Sequence, residues 1–159
     1  MEIADDYADE LLNSATALSQ ISPETQANLR RAISSSYYAL FHLLIGEACR
    51  NWSRPEQRGR LARKFEHVRM LAASRQCAER YKNAVPGSME SYLLDVANAF
   101  AQLQEERHLA DYDLTRTFLD VEVTVDLSLA RNAFKDWDRI RGEQIAQDYL
   151  FSLLFKDKS

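Results

Sequence analysis

Apolar side chains recur every three or four residues along most of this chain, the spacing that gathers them on one face of an α-helix. Tyr7, Leu11, Ala15 and Leu18, with Ala8 and Leu12 beside them, predict a first helix over roughly residues 4–20. Ser22-Pro23-Glu24 reads as the next start: a serine to cap, a proline for the first helical position, a glutamate at the positive end of the dipole. A long second helix, about Pro23 to Arg50, carries Leu29, Ile33, Ser36, Leu40 and Leu44 on one face, with Tyr37, Phe41 and Ile45 alongside. So wide an apolar arc predicts a central helix with several neighbours.

Ser53-Arg54-Pro55-Glu56 has the spacing of a capping box and opens a third helix over about 56–83, with Leu61, Phe65, Val68 and Leu71 or Ala72 inward. Pro86-Gly87 is the clearest break. Ser88 then caps a fourth helix, about 89–109, whose stripe of Met89, Leu93, Val96, Phe100 and Leu103 continues into Arg107. A loop is predicted over 110–121. Val121 to Leu129 alternates with period two, as a half-buried strand does, while a helical pattern runs from Leu127 through Ala130, Phe134, Trp137 and Arg141. No partner strand is visible, and a lone strand leaves its backbone unpaired, so a helix is predicted over about 122–142. Residues 145–155 form a short apolar piece that docks on the bundle or on a second subunit. The reading is one all-α domain over residues 1–159, an up-and-down bundle of four to five helices. Its core covers about 5–142, and 143–159 form a C-terminal docking segment.

Composition sharpens this picture. Only four glycines and three prolines occur in 159 residues, too few turn formers for a many-stranded fold. The two cysteines, Cys49 and Cys77, and three histidines show no metal-ligand spacing, so neither a metal nor a cofactor is expected. Met1 to Glu10 holds five acids and no base, unlike a signal peptide. The longest mostly apolar run, Tyr37 to Gly46, is interrupted by His42 and is too short for a membrane span. A reduced cytoplasmic protein without membrane contact is the expectation.

Charge is unevenly spread. Residues 50–82 hold ten of the 20 Lys and Arg and only three acids, a net +7 against -11 for the rest, within an overall -4. Eight of those ten are arginines, which make bidentate phosphate contacts. Two readings stand: a solvated face, or a nucleic-acid-binding surface with Arg58, Arg60, Arg63 and Lys64 as its contacts. Arg107 also has two. Its place on an apolar stripe near a helix end fits a dipole-capping arginine paired with Asp111 or Asp113, or a guanidinium held in a cleft for a phosphate. Ser34-Ser35-Ser36 has no evident base and reads as close helix packing.

Two segments carry a resemblance. Leu29-Arg30-Arg31-Ala32-Ile33-Ser34-Ser35-Ser36-Tyr37-Tyr38-Ala39-Leu40-Phe41-His42 is similar to the second-helix signature of the HEPN superfamily. Arg107-His108-Leu109-Ala110-Asp111-Tyr112-Asp113 resembles the Arg-x-x-Ala-Asp-Tyr segment of one bacterial and archaeal branch. The similarity spans about residues 5–142. It implies a HEPN-like bundle forming a homodimer, and in many members a metal-independent endoribonuclease with Arg, four to six residues, then His in the dimer cleft. Such proteins serve in toxin-antitoxin or defence-like systems, often beside a nucleotidyltransferase.

The chain departs at the decisive point. The histidine expected at 112, 113 or 114 is replaced by Tyr112, Asp113 and Leu114, and His108 directly follows the arginine. Arg60 and His67 match the spacing formally but fall in the third helix, where the family keeps no site. The reading is therefore an RNA-, nucleotide- or partner-binding module. Its alternatives are an active ribonuclease using Arg107 with Asp111, Tyr112, Asp113 or His108, and a purely structural partner subunit. The resemblance also marks Tyr112 as a place where related systems accept a nucleotidyl group.

Overall fold

The computed structural model describes residues 6–156, and every regular element in them is helical. Seven α-helices follow one another: α1 (Tyr7–Ser19), α2 (Gln26–Arg50), α3 (Arg58–Ala62), α4 (His67–Arg80), α5 (Met89–Tyr112), α6 (Asp120–Ile140) and α7 (Gln144–Leu154). A single 3₁₀ turn, Pro55–Gln57, precedes α3. Among the described residues no helix is long and apolar enough to cross a membrane.

α2 is the central element, as its wide apolar arc predicts. It packs against α1, α5, α6, α7 and the short α3. The main core joins Tyr37, Leu40 and Leu44 of α2 to Met70 of α4, Leu93, Val96 and Phe100 of α5, Trp137 of α6 and Leu150 of α7. A second cluster joins Ala15 of α1, Leu29 and Ile33 of α2, and Phe118, Val123 and Leu127 around the start of α6. Fully burying aromatic and aliphatic side chains of this size stabilises the fold by about 1.5–3 kcal/mol each.

Several local predictions are corrected. α2 begins at Gln26 rather than Pro23: Thr25 caps it, its hydroxyl accepting from the Asn28 N–H at 3.2 Å. Ser22-Pro23 stands outside the helix. The long third helix is two shorter ones, broken over residues 63–66. Ser53 and Glu56 form no capping box; Glu56 accepts from Arg54 Nε at 2.9 Å instead. Met70, Ala73 and Ser74 face inward on α4, and Val68 lies on the surface. Ser88 does cap α5, accepting from the Ser91 N–H at 3.1 Å, after a turn in which Gly87 takes φ +83°.

The ambiguous stretch is helical from Asp120. A strand would place Val121, Val123, Val125 and Leu127 on one side. Here Val123 and Leu127 are buried while Val121 and Val125 are exposed. The loop before it is shorter than predicted, because α5 runs on through Tyr112. α2 pins that loop. The Gln26 amide donates to the Phe118 carbonyl at 2.8 Å and accepts from the Phe118 N–H at 2.9 Å. Arg30 donates to the carbonyls of Ala110 and Arg116. α7 docks on its own bundle, burying Tyr149, Leu150 and Leu153, and the Tyr149 hydroxyl meets Ser74 Oγ at 2.7 Å. That covers the C-terminal apolar stripe within one chain, leaving Phe151 and Phe155 outside.

Candidate nucleic-acid interface

The basic stretch folds back at the end of α2. The last carbonyls of the helix lack helical partners, and a terminal nitrogen of Arg58 donates to that of Arg50 at 3.2 Å while its Nε donates to the Trp52 carbonyl just beyond the helix at 2.9 Å. This holds α3 against α2 and opens a groove of about 1420 Å³ between α1, α2, α3 and α6. Six cationic side chains line it: Arg50, Arg58, Arg60, Arg63, Lys135 and Arg141. Four carboxylates line it too: Asp9, Glu47, Glu56 and Asp138. Buried Glu47 is neutralised twice, by Arg141 at 2.5 Å and Arg50 at 3.6 Å. Arg60 and Arg63 are exposed and form no ion pair among the described residues.

Three of the four predicted nucleic-acid contacts therefore share one cavity wall. Arg58 serves the fold as well as the groove. Lys64 is exposed and lies outside the lining of this groove. Arg50, Lys135 and Arg141 were not predicted; the last two come from α6 and its end, 70 or more residues away along the chain. Nothing in the local sequence marks them, since only the packing of α6 beside α2 brings them there.

A second, smaller cavity of about 470 Å³ lies alongside, with Arg31, Ser34, Ser35, Tyr38 and Asp111 in its wall. Tyr7 and His42 line both cavities. The Tyr7 ring meets the His42 ring edge-on, with centroids 4.9 Å apart. Burial, and secondarily the charge of His67, hold the His42 pKa below the ordinary histidine value. The neutral imidazole is thus favoured.

Arg107 occupies a different kind of place. It is 7% exposed. Its guanidinium lies over the rings of Tyr37 and Tyr38, 5.1 and 5.8 Å from their centroids. One terminal nitrogen donates to Gln104 Oε1 at 3.0 Å, and the other stands 3.6 Å from Asp111 Oδ2. Nε has no hydrogen-bond partner. Asp111 also accepts from the Ser34 hydroxyl. Tyr37 in turn reaches His67, whose Nδ1 lies 2.5 Å from the phenol oxygen. His67 stacks on Phe41 at 4.5 Å, and burial followed by the nearby Arg107 charge lowers its pKa.

Of the residues named with Arg107, Asp111 alone pairs with it. Tyr112 is exposed and packs its ring near His108, 5.1 Å between centroids. Asp113 ends α5 and turns to Thr115, accepting from its hydroxyl at 2.6 Å and its N–H at 3.0 Å. Those bonds, the hydroxyl first, hold the Asp113 pKa below the usual carboxylate value, the wrong direction for a general base at neutral pH. The residue missed is His67, which the fold brings to the Tyr37 that carries Arg107. In the sequence it shows only as the formal Arg60–His67 spacing, and nothing local pairs it with Arg107. Arg107, Tyr37 and His67 line neither of the two cavities.

No family model matches the chain, and neither a curated protein nor a solved structure does.

Proposed function

We propose that this chain is a HEPN-type helical module that binds RNA through its phosphate backbone in the basic groove. The observation that carries the reading is the convergence of Arg58, Arg60 and Arg63 with Arg50, Lys135 and Arg141 on one cavity, with Arg60 and Arg63 left unpaired among the described residues. Concentrated arginine charge in a concave wall attracts a polyanion and offers planar donors to its phosphates. The overall negative charge disfavours indiscriminate polyanion binding elsewhere on the molecule. The HEPN resemblance supports RNA as the polyanion, and it brings the homodimer and the nucleotidyltransferase partner into the same reading. Exposed Leu114, Leu119, Val121 and Val125 give such a partner an apolar surface.

Titration of a fluorescent single-stranded RNA across a salt series tests this. Arg60→Gln/Arg63→Gln is expected to weaken binding at least about tenfold at low salt and to flatten the log–log salt slope by about 1.4, two single-strand phosphate contacts' worth. Unchanged affinity and slope would refute the reading.

The ribonuclease reading has one observation in its favour, the contact of His67 with the tyrosine beneath Arg107. Against it, Arg107 is closed in by Tyr37, Tyr38, Gln104 and Asp111. Incubation with RNA in EDTA separates the two. Intact RNA with the parent protein is the expected result, and cleavage abolished by His67→Ala would establish the enzyme instead.

A further inference from the structure

We propose that Tyr7, seated on His42, is a stacking platform for an unpaired base, so that the groove selects single-stranded over double-stranded nucleic acid; this rests on the RNA-binding reading above. The geometry that points there is the meeting of the two cavities at one aromatic step. Tyr7 and His42 line both, and everything else that binds anions lies to one side or the other. On one side stand Arg60 and Arg63. On the other stands Arg31, which is exposed. A chain of phosphates running from one side to the other must carry its base across the Tyr7–His42 step.

The chemistry of that step suits a base rather than a phosphate. Tyr7 is 42% exposed although it belongs to the first turn of a packed helix. His42 braces it edge-on from below, and Phe41 braces His42 in the same way at 5.2 Å. The ring is thus held with surface left over for a second aromatic face. Asp111, the carboxylate nearest this route in the smaller cavity, faces Arg107 and the Ser34 hydroxyl, which offsets its charge. Bases in a duplex are already stacked on one another and cannot offer a free face, whereas an unpaired base can.

The test compares three probes by fluorescence anisotropy: a short labelled oligouridylate, a labelled RNA duplex, and labelled heparin as a polyanion without bases. Tyr7→Leu, which keeps bulk and removes the ring, is expected to weaken oligouridylate binding about tenfold, the low to middle part of the range for one base–aromatic stack. Duplex and heparin binding are expected to change less than about twofold, and Tyr7→Trp to restore the oligouridylate affinity. An independent readout is the emission of Tyr7→Trp relative to the parent protein, expected to be quenched by oligouridylate and not by heparin. Equal weakening of all three probes, or none, together with an unquenched Tyr7→Trp, would overturn the platform. If Arg60→Gln/Arg63→Gln also left every probe unaffected, the groove itself would not be the binding site, and the underlying reading would fall with it.

Discussion

Arg107 and the pair Arg60 and Arg63 are the same side chain put to opposite uses. Arg107 is 7% exposed, sandwiched over two tyrosines and tied to Gln104 and Asp111. Arg60 and Arg63 stand at a groove wall, without an ion pair among the described residues. A guanidinium already desolvated and partnered contributes to the fold and has little left for a ligand. One that keeps its water has given up nothing yet, and can exchange that water for phosphate. The arginine that the motif singles out is thus a structural tie, whereas Arg60 and Arg63 keep their guanidinium donors free of ion pairs among the described residues.

The comparison breaks most easily at Arg107. Arg107→Met keeps the stem but removes the charge, the two ring contacts and the partner of Asp111. Urea unfolding is expected to show a loss of about 3 kcal/mol, with RNA affinity of the still-folded protein unchanged. A variant of parental stability that no longer binds RNA would reverse the roles assigned to the two regions.

Asp126 gives a smaller, pH-dependent effect. It is 2% exposed, and one carboxylate oxygen has no partner. Burial first, then the charges of Glu106 and Glu122, push its pKa up to about 7 against the opposing pull of Arg116. The folded state therefore binds this proton more tightly than the unfolded chain, where the carboxyl titrates near about 3.9. Its contribution to stability is full below that value and is lost as pH rises through about 7. Asp126→Asn is expected to raise the melting temperature at pH 8 by a few degrees, about 1 kcal/mol, and to leave it nearly unchanged at pH 4. A gain of the same size at both pH values would show that the carboxyl is not titrating as described.

Ser88→Ala removes the cap of α5, the helix that carries Arg107. A loss of about 1 kcal/mol in urea unfolding is expected, without any change in the groove. The smallest effect belongs to Arg60→Gln/Arg63→Gln, whose stability is expected to stay within about 0.5 kcal/mol of the parent. A larger loss would mean that these side chains support the fold, and would erase the contrast with Arg107.

What could be read along the chain, and what could not, follows the same division. The stripe from Val96 to Arg107 placed that arginine inward correctly, because a helix repeats its faces every three or four residues. The cap at Ser88 and the turn at Pro86-Gly87 were legible for the same local reason. The helix starting at Asp120 was harder, since Val121 to Leu129 satisfies both periods; packing of Val123 and Leu127 against α1 and α2 chose between them. Pro23 misled because its fit to a helix start does not require one, and Thr25 takes the cap. The break at residues 63–66 was missed because apolar residues continue on both sides of it.

The helical character of the described residues, the position of most helices, the inward face of Arg107 and the concentration of arginine between residues 50 and 82 are all legible along the chain. All of these depend on neighbours within a few turns, whose geometry the backbone fixes. The tertiary structure decided the rest: that Arg141 and Lys135 join Arg58, Arg60 and Arg63, that His67 meets Tyr37, and that Asp113 turns from Arg107 to Thr115. The first two contacts join residues far apart in the chain, so no short stretch of sequence could state them; the third joins residues two apart, and what decides it is where α5 ends.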